Sequence, residues 1–131
     1  MIRVIVVLLL HLFLTLYLIG CETNNSSKIQ ENFIGNPTAD EFLIESSYAN
    51  IFMFSDIIYK AGVPWVDALQ LTKDQFITEI TKQTDIGKDF VNGTANKLKV
   101  GTKIYSVKER RDILIAETGN GDIKFLKIVE G

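Results

Sequence analysis

The feature that most constrains this chain is a division near residue 21. Sixteen residues, Val4 to Ile19, form an apolar run broken only by His11 and Thr15; Met1-Ile2-Arg3 precede it and Gly20-Cys21 follow. A short positive start, an apolar stretch and a small residue before the break make a secretory signal pattern. A compact fold must then be built from the residues beyond Cys21, where 16 acidic and 13 basic side chains leave a net charge of −3. That balance argues against a nucleic-acid partner, which calls for a strongly basic domain.

A retained membrane helix is the competing reading. At about 1.5 Å per residue the run reaches roughly 24 Å, short of a hydrocarbon core of about 30 Å. No Lys/Arg cluster follows it, for Glu22-Thr23-Asn24-Asn25-Ser26-Ser27 come next. The four residues Leu18-Ile19-Gly20-Cys21 resemble the lipobox of bacterial lipoproteins. That resemblance implies that residues 1–20 are removed as a signal peptide. It also implies that Cys21 carries a diacylglyceryl group, whose acyl chains hold the protein on the extracytoplasmic face of the cell membrane.

Residues 21–37 then read as the lipidated N-terminus and a flexible tether. Ile29, Phe33 and Ile34 are the only bulky apolar side chains between Glu22 and Asn36, too few to offset the entropy of ordering. Fifteen flexible residues span roughly 20 Å.

The segment 38–131 is expected to be a mainly β domain, with β-rich α+β as the alternative: a small antiparallel sheet or barrel-like body. Ile113-Leu114-Ile115-Ala116 suits a strand buried on both faces. Asn120-Gly121 is a strong hairpin signal, and Ile123 to Ile128 returns as the partner strand. The break in its alternation at Phe125-Leu126 predicts a bulge or a two-sided strand. Gly101 to Val107 alternates as a third strand, and Ser55-Asp56 suits a turn between two apolar runs. Phe76 to Lys82 fits both helix and strand, and its threonines favour strand. A short helix is expected near Trp65–Gln75. The expected core includes Ile104, Ile113, Ile115, Ile123, Phe125 and Ile128.

A second likeness covers about residues 50–131. Ile51 to Tyr59, Trp65-Val66, Glu79-Ile80, the run Asn92-Gly93-Thr94-Ala95-Asn96-Lys97-Leu98-Lys99-Val100-Gly101-Thr102-Lys103-Ile104-Tyr105 and the ending Ile128-Val129-Glu130-Gly131 resemble small uncharacterised lipoproteins of Bacillus and its relatives. Lys99 departs from that pattern, which has Pro there. The resemblance implies a β-rich fold and a surface location, and carries no catalytic residue.

His11, the only His, and Cys21, the only Cys, both lie at or before the division. A mature chain from Cys21 onward has no His and no unmodified thiol, so Ser-His-Asp and Cys-His catalysis, His/Cys zinc sites and disulfides drop out. No cofactor or metal site is expected, and the reading is non-enzymatic. Paired carboxylates among Asp56, Asp85 and Asp89 would be the enzymatic alternative, against the ordinary expectation of solvated loop acids. Charge asymmetry offers the remaining clue. Within 97–111, Lys97, Lys99, Lys103, Lys108, Arg110 and Arg111 face only Glu109. Contact with an anionic envelope polymer, lipid headgroups or a surface protein is one reading; solvated strand faces and protected edges are the other. Tyr48, Tyr59, Trp65 and Tyr105 read mostly as core. The functional expectation is a lipid-anchored binding or interaction module, with an inhibitor or immunity-type protein as a further alternative.

Overall fold

A computed structural model describes residues 35–130. The signal segment 1–20, Cys21 and nearly all of the tether lie outside the described residues. The domain begins with a helix that sequence reading overlooked, α1 (Ala39–Glu45). Thr38 caps it: its hydroxyl accepts from the Glu41 N–H at 3.3 Å while the Glu41 carboxylate accepts from the Thr38 N–H at 2.8 Å, satisfying two donors that a helix start otherwise leaves orphaned.

Strands β1 (Ile51–Phe54), β2 (Ile57–Ala61), β3 (Lys73–Glu79), β4 (Lys82–Gln83), β5 (Thr94–Ala95), β6 (Lys103–Val107), β7 (Ile113–Thr118) and β8 (Gly121–Lys127) form one sheet in the order β3-β6-β7-β8-β2-β1-β5-β4. The pairings are antiparallel except β4 with β5, so the sheet is mixed. Its two edge strands, β3 and β4, are consecutive pieces of one stretch, separated only by Ile80 and Thr81. Ile80 is fully buried at that bend; its N–H donates to the Thr102 carbonyl at 2.9 Å and its carbonyl accepts from Gly101 at 2.8 Å. The sheet thus curls into a half-barrel.

Curling explains how one face of so many strands meets in a single core. Phe52, Tyr59, Ala61, Ala95, Ile104, Leu114, Ala116 and Phe125 converge inside with Ile80 and Leu98. Phe52 stacks on Tyr59 at 5.2 Å and meets Phe125 edge-on at 4.9 Å. The outer face is covered twice. Ala39, Phe42 and Leu43 of α1 pack on Ile51, Met53 and Ile58. On the other side Val66, with Val63, Leu69 and Leu71, covers Val107, Ile113, Ile115 and Leu126. The apolar run of β7 is therefore buried on both faces, as its composition predicts. Phe125 and Leu126 go to opposite faces of a strand whose register is unbroken, so the two-sided reading holds and no bulge forms. Of the expected core, Ile104, Ile113, Ile115 and Phe125 are buried, while Ile123 and Ile128 are partly exposed.

Several expectations shift. Thr118 pairs with Gly121, so the hairpin loop is Gly119-Asn120 rather than Asn120-Gly121. Neither loop residue has positive φ, whereas Gly121 has φ 116°; glycine is spent on the position after the turn, as in a bulged hairpin. Ser55 and Asp56, at φ 49° and 61°, do make the tight β1–β2 turn. The helix expected over 65–75 shrinks to α2 (Pro64–Asp67), because Lys73 onward is drawn into β3. The ambiguous 76–82 stretch is β-structured, with two register shifts where β3 meets β6. The third strand begins at Lys103, two residues after Gly101.

The segment 92–96 explains its own composition. Asn92 accepts from the Asp56 N–H at 2.8 Å, Gly93 donates to the Met53 carbonyl at 2.8 Å, and buried Asn96 receives the Ile51 N–H at 2.9 Å while donating to Ala49 at 2.6 Å. Each side chain or amide fastens one end of β1, so this run builds the barrel.

Candidate functional site

The strands give the half-barrel two ends, set about 20 Å apart by the six residues of β7 at roughly 3.3 Å each. At one end lie the β7–β8 turn, the 97–102 loop, the link from α1 to β1 and the exit of β2. Two adjoining clefts open there, of about 680 and 560 Å³. The first involves Tyr48, Asn50, Lys60 and Asp122, the second Lys97, Lys99, Thr102 and Asn120; Asn50 and Ile123 belong to both. Tyr48 is 88% exposed, an exception to the expectation that most of the four aromatics are core. It lies in the short link Ser46-Ser47-Tyr48 after α1; the serines before it are the available signal. Lys97 donates to the Tyr48 carbonyl at 2.7 Å, fixing the loop beside the ring. The Asn50 Oδ1 atom is buried without a hydrogen-bond partner.

The basic run from the sequence does not form one patch. Lys97 and Lys99 border the second cleft, and Lys103 opens β6 between Glu79 of β3 and Glu117 of β7. Lys108, Arg110 and Arg111 sit in the β6–β7 turn, about 16 Å farther along the strand. Arg110 is held by Asp112 through two contacts, of 2.8 and 2.6 Å, and lies 5.0 Å from the Trp65 ring centre. Trp65 is 47% exposed, Tyr59 is buried and Tyr105 is partly exposed. Asp56, Asp85 and Asp89 are all exposed, and Asp56 is engaged with Asn92 at 3.1 Å. Among the described residues no group of three or more His, Cys, Asp or Glu is placed to hold a metal ion.

Fixed charges organise the outer face near the clefts. Lys73 reaches across Tyr105, its Nζ 5.1 Å from the ring centre, to Glu117 at 2.6 Å and Asp122 at 3.2 Å. The hydrogen bond from Lys73, reinforced by its charge, lowers the Glu117 carboxyl below its ordinary range; the same bond raises Lys73. Lys124 is anchored on the Asp67 and Leu69 carbonyls, leaving its charge at the cleft with two of its three donors committed. Elsewhere Arg110 lowers Asp112 through its hydrogen bonds, and burial, with the Asp112 charge second, raises Tyr59.

A carboxyl lowered on folding contributes stability that is full above its unfolded range and is lost as pH falls through its folded value. Replacing Lys73→Met is expected to move the Glu117 titration midpoint upward, read by carbon NMR of its carboxyl. The stability difference between the two proteins should narrow as the solution is acidified. An unchanged midpoint would show that Lys73 does not set the Glu117 charge.

No family model, curated protein or solved structure matches this chain. At the end that bears the two clefts, an exposed phenol, amides, hydroxyls and both signs of charge suit non-covalent recognition of a polar partner.

Proposed function

We propose that this protein is a lipid-anchored extracytoplasmic binding module. Cys21 carries the anchor, and the end of the half-barrel bearing Tyr48 and Asn50 meets a component of the cell envelope. The Leu18-Ile19-Gly20-Cys21 signal carries the anchoring part of this reading. For recognition, the supporting observation is the placement of the chain's entry. Gly35 and Asn36 bond Glu130 at 3.4 and 3.3 Å, beyond the end of β8, whereas the clefts lie at the opposite end of that strand. A chain tethered through Gly35 has its attachment at one end and its clefts at the other.

The reading is non-catalytic and needs no cofactor. A photo-crosslinking residue in place of Tyr48, introduced into the full chain in cells, is expected to capture one envelope component in fixed proportion. The same residue in place of Arg111 should not capture it. Equal capture from both positions would remove the clefts from the proposal.

A further inference from the structure

The end of the domain nearest Gly35 has a composition of its own. β7 starts there, and the Lys127 N–H at the end of β8 donates to the Asp112 carbonyl at 2.8 Å, so the turn 108–112 and the close of β8 adjoin. Lys108 and Arg111 are exposed and make no ion pair among the described residues. The acids of the same turn are turned to other tasks. Glu109 receives the Thr72 N–H on both carboxylate oxygens, at 3.0 and 2.9 Å, and Asp112 grips Arg110. Lys127 adds a further base. Asp56 and Glu130 lie past β8 toward the β1–β2 turn, and Asp67 closes the short helix α2 that carries Trp65, its carbonyl accepting from Lys124. Beside the bases stands Trp65, half-exposed, with the Arg110 guanidinium over its ring. Tryptophan with a polar edge and an apolar body is suited to the headgroup level of a bilayer, and bases within a Debye length of an anionic leaflet are attracted to it.

We propose that Trp65 with Lys108, Arg110 and Arg111 forms a docking surface for the headgroup layer of an anionic membrane. This rests on the anchored reading above, in which the 14 residues from Cys21 to Ile34 join the domain at this end through Gly35. A linking segment of that length spans only roughly 20 Å, which keeps the domain close to the bilayer. Docking fixes the domain upright, with the Tyr48 end pointing away.

Trp65 is the only tryptophan in the chain, so it reports on itself. The full chain is placed on phosphatidylcholine vesicles carrying headgroup-proximal brominated lipid, with or without phosphatidylglycerol. Flotation and Trp65 quenching are read together. Phosphatidylglycerol is expected to increase quenching and shift the emission to the blue, and high salt should reverse both. Lys108→Glu with Arg111→Glu should abolish the response, a loss on the order of tenfold in the salt-sensitive partitioning. Lys97→Glu with Lys99→Glu makes the same charge change at the opposite end and should retain it. Flotation without any lipid-dependent quenching would overturn docking while leaving the anchor standing. Flotation and quenching seen only with phosphatidylglycerol would support docking and remove the anchor. A response lost equally in both double variants would reduce the effect to net charge and overturn the surface. A protein that does not float on either vesicle overturns both.

Discussion

Cys21→Ala is expected to abolish incorporation of labelled palmitate and to change the fate of the whole protein. It should leave the membrane fraction, or accumulate unprocessed at its full 131 residues. The size of the effect follows from comparing the forces available. Two acyl chains carry roughly thirty CH₂ groups, at about 0.8 kcal/mol for each one buried, or more than about 20 kcal/mol even at partial burial. The exposed bases near Trp65 add only about 1 kcal/mol each near an anionic surface, and ordinary salt weakens them further. On the proposed reading such contacts would orient a domain that the anchor already holds, and would be too weak to replace it. Unlabelled wild-type protein that still pellets at full length would mean that Val4–Ile19 is an uncleaved membrane segment. The lipoprotein proposal would then fail.

What could be read from the residues follows the range of the interactions that specify them. β7 and β8 were legible because a two-sided apolar run, a turn rich in glycine and a returning strand are neighbours in sequence, and local pairing needs little else. β4 and β5 were not legible. Each has two residues, and their parallel pairing joins segments whose only reason to meet is closure of the curled sheet. The same holds for Asn96, whose bonds to Ile51 and Ala49 cross more than forty residues of sequence. In contrast, α1 is not read from the sequence although Thr38 and Glu41 spell a capping box; its stretch falls inside the segment expected to be β-rich, where strand signals dominate. The basic run shows the other limit. Its six residues are close in sequence, yet a five-residue strand, β6, carries them to two ends of the barrel. Proximity along a strand is separation in space, so charge counted over a window does not define a surface.

Phe52 lies among the aromatic rings inside the half-barrel, which makes it the position of greatest expected cost to folding. It is fully buried, stacks on Tyr59 and meets Phe125 edge-on, while its partner on the next strand over, β5, is only Ala95. Phe52→Ala removes a ring from between two others and leaves Ala95, its cross-strand partner, too small to close the gap. Loss of transfer free energy together with the residual cavity costs about 3–5 kcal/mol. A small domain whose total stability is on the order of 5–10 kcal/mol would lose much of it. In urea, followed by circular dichroism, the midpoint should fall by on the order of 2–3 M with the slope unchanged. Phe76→Ala is the matched comparison. Phe76 is 55% exposed and touches Tyr105 edge-on at 6.1 Å from the outer side of β3, so its loss is expected to cost about 1 kcal/mol or less. Equal midpoints for the two variants would show that the stacked ring inside the curl is not the centre of the fold.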